Sequence, residues 1–127
     1  MILLTSYLLC IRTGKNMGDE EIYKILKVLE SRANIRQLSL CRNSIGAGTI
    51  QKVSGLLSTN ANITQLNLGG NVLGNEGTRL LCEALKTNSV LAHLTLGGNA
   101  IYKQGAEYIG ELLKENGNIT YLNLGCN

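Results

Sequence analysis

The residues able to do chemistry are few and scattered. His93 is the one histidine among 127 residues, which excludes any multi-histidine metal or acid–base cluster. The cysteines are Cys10, Cys41, Cys82 and Cys126, at spacings of 31, 41 and 44 that match no zinc pattern. Four cysteines are also sparse for a disulfide framework, so the expectation is reduced thiols in a cytoplasmic protein. His93 has Gln65 and Tyr121 as its equivalents in neighbouring repeats, with no carboxylate or nucleophile to orient it. It reads as a contact residue and not a catalytic one. Gly69-Gly70-Asn71 and Gly97-Gly98-Asn99 lack the lysine and the strand–glycine–helix spacing of phosphate loops. They read as tight turns. Asp19-Glu20-Glu21 suits a helix start, where carboxylates meet the positive end of the macrodipole. No catalytic, cofactor or metal residue is expected, and the chain is not expected to be an enzyme.

Composition narrows the class further. At 44% hydrophobic and 17% charged the chain can bury a core and is not disordered. One domain over residues 1–127 is the expectation. With no proline and 15 glycines, turns must be made by Gly and Asn. A net charge of +3 is too weak to imply nucleic acid or a membrane surface. No apolar run reaches the roughly 20 residues of a membrane span. Residues 1–11 are apolar but lack a basic start and a good cleavage site, so a buried first strand is preferred to a signal peptide.

The main signal is a repeat of 28 residues. Leu38, Leu66, Leu94 and Leu122 recur at that spacing, as do Leu40, Leu68, Leu96 and Leu124. Asn43, Asn71, Asn99 and Asn127 follow the same period, and Ile35, Ile63, Leu91 and Ile119 precede them. The unit is L-x-x-L-x-L-x-x-N. Downstream, Val53, Leu81 and Ile109 recur, with Leu57, Leu85 and Leu113 four residues later. The repeats span approximately 8–34, 35–62, 63–90 and 91–118, with a half repeat at 119–127. In the degenerate first copy, Leu8, Ile11, Thr13 and Asn16 are aligned with the first apolar, two Leu and Asn columns. The repeats also account for two glycosylation-like triplets, Asn62-Ile63-Thr64 and Asn118-Ile119-Thr120.

Leu38-x-Leu40 alternates with the period of a strand. Asn then turns the chain by satisfying backbone groups at the strand end. Thr78, Leu81, Ala84 and Leu85 form a helical stripe. Each unit is thus a strand and an antiparallel helix, and units must stack to bury their apolar faces. Strands need about 4.8 Å and helices about 9–10 Å, so the stack should curve with strands inside. The expected fold class is α/β, a solenoid forming a partial horseshoe. Parallel strands would line its concave face and helices its convex face, over about four and a half repeats.

This pattern resembles the leucine-rich repeat family, of the ribonuclease-inhibitor-like subtype. Its best copies contain LNLGGNVLGNEGTRLLCEAL and LTLGGNAIYKQGAEYIGELL. Thr49, standing where Gly77 and Gly105 stand, departs from them. The resemblance implies a recognition scaffold, since such proteins include ribonuclease inhibitors, the sensor ends of immune receptors and a GTPase-activating protein for Ran. The expected function is non-catalytic recognition of a protein or peptide through the concave sheet. The alternatives are a GTPase-activating-type regulator or a self-associating repeat fragment.

Alternation sets out the contact rows. One is Cys10, Gln37, Gln65, His93 and Tyr121, and the next is Arg12, Ser39, Asn67, Thr95 and Asn123. A third is Gly14, Cys41, Gly69, Gly97 and Gly125, and a fourth is Lys15, Arg42, Gly70, Gly98 and Cys126. Residues 1–60 carry eight Lys/Arg against four Asp/Glu, and residues 61–127 carry four against five. An acidic partner segment docking at Arg12, Lys15 and Arg42 is one reading, and solvated edge charges that protect a terminal strand are the preferred one. Neither end reads as capped. Residues 1–7 are expected to fold over the first strand as a cover. Ile119, Leu122 and Leu124 form an apolar edge through which two chains could pair as a homodimer.

Overall fold

In this computed structural model the structure describes residues 2–4, 8–11, 19–32 and 34–127. The elements are β1 (Ile2–Leu4), β2 (Leu8–Ile11), α1 (Asp19–Glu30), β3 (Gln37–Ser39), α2 (Ala47–Thr59), β4 (Gln65–Asn67), α3 (Gly74–Lys86), β5 (His93–Thr95), α4 (Lys103–Glu115) and β6 (Tyr121–Asn123). The class is α/β. Strands β2 to β6 form a five-stranded parallel sheet in chain order, and four helices connect them. Leu38, Leu66, Leu94 and Leu122 are paired in register across the strands. Backbone pairing runs past the short strands, with Leu40, Leu68 and Leu96 each donating N–H to the next repeat, at 2.8, 2.9 and 2.8 Å.

The core follows the repeat. Leu38, Leu40, Ile45, Val53, Leu57 and their equivalents in the next repeat are buried. The other face of each helix is wet, and on α3 Arg79 bridges Glu76 and Glu83 at 2.7 Å each. Leu80 and Tyr108 pack half-buried against the core, while Lys24 and Lys52 in their column stay exposed.

Three expectations need correction. First, Leu9 pairs with Leu38 and Cys10 with Ser39, so the first repeat is registered two residues away from the expected alignment. Leu9 and Ile11 fill the two core columns, the places expected of Ile11 and Thr13. The expected alignment set Ile11 in the first core column; the shift of two keeps it on the core face and brings Leu9 into register beside it. Burying both Leu9 and Ile11 is the better use of apolar area. Second, the described part of the N-terminal segment, Ile2–Leu4, lies in the sheet itself, folded back antiparallel along the open edge of β2. Third, Leu113 is 44% exposed although Leu85 in the same column is at 0%.

Asparagine side chains fill the turns. Asn71 Nδ2 donates to the Leu40 and Leu68 carbonyls at 3.0 and 2.7 Å. Its Oδ1 accepts from the Asn43 and Ile45 amides at 2.9 and 3.0 Å. Asn99 donates likewise to the Leu68 and Leu96 carbonyls, and Asn127 repeats the whole link at the Asn99 turn. A second column, Asn60, Asn88 and Asn116, was not anticipated, although its spacing of 28 is plain in the sequence. Each Oδ1 there accepts two amides just past a helix end, and Asn88 and Asn116 also reach back to Leu57 and Leu85. No buried side-chain N or O lacks a partner among the described residues.

Candidate functional site

The outward residues of the strands share one face. Gln37, Ser39, Gln65, Asn67, His93, Thr95 and Tyr121 line a shallow groove of about 300 Å³. Leu8 takes the place beside Gln37 that the sequence reading gave to Cys10. Gln37 and Gln65 make no side-chain hydrogen bond among the described residues, so their amides are available to a partner. His93 and Tyr121 stack with ring centroids 5.6 Å apart and planes at 28°. Tyr121 is 49% exposed and offers the pair's aromatic area to solvent.

A second groove of about 640 Å³ lies toward the carboxyl ends of the same strands. Its floor is glycine at 69, 70, 97, 98 and 125, and Arg42 and Cys126 also line it. One column here, Arg42, Gly70, Gly98 and Cys126, is left-handed throughout, with φ of 58, 69, 65 and 60°. That explains the two glycines and marks Arg42 and Cys126 as strained. Asn123 stands in the second groove. Arg12 and Lys15, two thirds of the expected basic corner, lie outside the described residues, as do Thr13, Gly14 and Asn16.

No Asp or Glu lines either groove. The shifted groups are on the helices. The Arg79 guanidinium hydrogen-bonded to Glu76 holds that carboxyl below its usual range, and the pairing raises Arg79 in turn. Burial pushes the Cys82 thiol up to about 12. No cluster of three or more metal-ligating side chains occurs among the described residues. No described helix is long and apolar enough to cross a membrane.

Sequence comparison is silent: no protein-family model matches the chain and no curated protein matches it. Structure comparison is not. Leiomodin-1 Actin-Binding Site 2 superposes with a TM-score of 0.85 at 22% identity, over 92% of this chain and 69% of that one. The Caenorhabditis elegans tropomodulin C-terminal domain gives 0.81 at 16% identity, over 93% and 72%. At such identities the likeness establishes the fold alone. It also corrects the family expectation. The two neighbours are a leiomodin and a tropomodulin domain, and neither is a leucine-rich repeat protein of the ribonuclease-inhibitor-like subtype. The physical reason is that a spacing of 28 reports the length of a strand–helix unit. A unit of that length does not belong to one family.

Proposed function

We propose that the chain is a non-catalytic protein-recognition domain, a solenoid of stacked strand–helix units that binds a partner polypeptide on the outer face of its sheet. The observation that carries this reading is the composition of that face. It is continuous over β3 to β6, uncharged apart from Arg42, and furnished with open Gln37 and Gln65 amides beside the stacked His93–Tyr121 pair. Such a surface offers hydrogen bonds and aromatic anchors without a reaction centre. Gln37, Ser39, Arg42, Gln65, Asn67, His93, Thr95, Tyr121 and Asn123 are the contact residues of this reading. Four free thiols suit a reducing cytoplasmic setting.

Actin is the partner to test first, because one protein of this fold is an actin-binding site. The test is co-sedimentation with actin filaments and fluorescence titration against monomeric actin. Saturable binding, weakened at least about tenfold by Tyr121→Ala together with Gln65→Ala, is the expected result. Absence of binding to either form would remove actin, and binding untouched by the double substitution would remove the sheet face.

A second reading is self-association through the outer edge at β6. Ile119 and Leu122 are half-buried and Leu124 is exposed, whereas Leu68 and Leu96 in its column are buried. Light scattering behind size exclusion tests it. A dimer that Leu122→Lys dissociates supports this reading, and a monomer at all concentrations ends it.

A further inference from the structure

We infer that the glycine-floored groove is a docking trough for an extended acidic segment of a protein partner, with Arg42 as its charge anchor. This rests on the reading of the sheet face as the partner surface and adds the chemistry of what lies there. Gly69, Gly97 and Gly125 follow the strands and line the groove in one column. Gly69 and Gly125 are not left-handed, but a Cβ on either would press on the Asn67 or Asn123 Oδ1, at 3.2 and 3.3 Å, unless that side chain gave way. Cys41 occupies the same column one repeat earlier and carries a side chain there. Gly97 differs, since its Cβ would come within 2.9 Å of the Gly125 carbonyl. Glycine at 69, 97 and 125 leaves this floor without side chains.

The space has a defined chemistry. Its floor peptides are already paired: Arg42, Gly70 and Gly98 donate to the Gly69, Gly97 and Gly125 carbonyls at 2.9, 2.8 and 2.9 Å. The floor thus accepts close approach without adding a strand. Beside it stand Asn67 and Asn123, whose Oδ1 atoms each accept a glycine amide at 2.9 Å. That bond turns each Nδ2 into an outward donor with no acceptor among the described residues. Arg42 completes the set. Its Cγ lies 2.9 Å from where a Gly70 Cβ would sit, so its stem crosses that glycine toward the trough. Arg42 supplies a positive charge, the asparagines supply amide donors, and no carboxylate lines the groove. Carboxylates meet that pattern best. Across β4 to β6, about 10 Å, an extended chain needs about three residues. A helix about 10 Å across would ride on the asparagines instead of reaching the glycine floor.

The experiment is a ¹⁵N-detected NMR titration with two probes, acetyl-Gly-Glu-Gly-Glu-Gly-amide and its lysine counterpart. The acidic peptide should move the amides of Gly69, Gly97, Gly98, Gly125 and Arg42 at low-millimolar concentration. Arg42→Gly keeps the fold, as Gly70 and Gly98 show for that column, and should weaken binding about tenfold. Gly69→Leu should do the same by filling the trough, with Gly125→Leu as the second choice if it fails to fold. Equal shifts with the lysine peptide, shifts elsewhere only, no shifts, or parental binding by Arg42→Gly would each overturn the inference. The peptide result does not depend on actin. Trough shifts without actin binding would remove actin and keep the trough, and actin binding indifferent to Arg42→Gly would do the reverse.

Discussion

At the residue scale, two columns of the repeat set the largest single costs. Arg42 sits in the left-handed conformation that Gly70 and Gly98 adopt without strain. Arg42→Gly should therefore stabilise the protein by about 1 kcal/mol, read by urea denaturation. Asn71 is the opposite case, since four backbone groups depend on one buried side chain. Asn71→Ala should cost about 3 kcal/mol, whereas Asn127→Ala, at an exposed position, should cost less than half of that. Cys82 gives a chemical readout. Its thiol stays neutral in the fold to about 12 against an ordinary value of 9.0. Its pKa is raised on folding, so its contribution is whole below pH 9 and is lost as pH climbs from 9 toward 12. At pH 8 exposed Cys126 should be alkylated first and Cys82 last, by a rate ratio on the order of 10² or more in mass-spectrometric mapping.

At the element scale, glycines within helices separate into two kinds. A Cβ at Gly55 or Gly110 meets nothing within 4 Å, so alanine there should raise stability by about 0.5–1 kcal/mol each. A Cβ at Gly105 would come within 2.7 Å of Ile101 and 2.9 Å of the Asn75 Oδ1. That oxygen accepts the Tyr102 and Gly105 amides and ties α3 to the start of α4. Gly105→Ala should lower stability by about 1–3 kcal/mol in the same assay. These elements were legible to different degrees. The strand–helix unit, the Asn43 column and the outward rows from Gln37 onward are written in side-chain type at a fixed period. The register of β2 was not, because Leu8, Leu9 and Ile11 fit two alignments and only tertiary burial chooses between them. The strain at Arg42 was hidden as well. Arginine gives no sign of its backbone angle until it is set beside Gly70. The carboxylate-free trough needed both the glycine column and the path of the Arg42 stem.

At the scale of the whole molecule, every helix and strand packs on its neighbours in sequence: α1 on α2, α2 on α3, α3 on α4, and each strand on the next. Stability in such an array is a chain of nearest-neighbour terms. Native-state hydrogen exchange should find the Leu68 and Leu96 amides among the slowest, being buried and strand-paired within the inner repeats, and the α1 amides faster. Uniform protection across all four helices would mean that the array unfolds as a single unit. The likeness to leiomodin and tropomodulin domains at 22% and 16% identity fits the same picture. Few side-chain types at fixed intervals carry the architecture, and the outer face is left free to differ.

The asparagine ladder also has a direction in time. The Asn43 and Ile45 amides are closed by Asn71, and those of Asn99 and Ile101 by Asn127. Each turn is finished by a residue 28 positions further on. On a ribosome, where the chain emerges from its N-terminus, each of these repeats must wait for the strand and turn of its successor before its own turn can close.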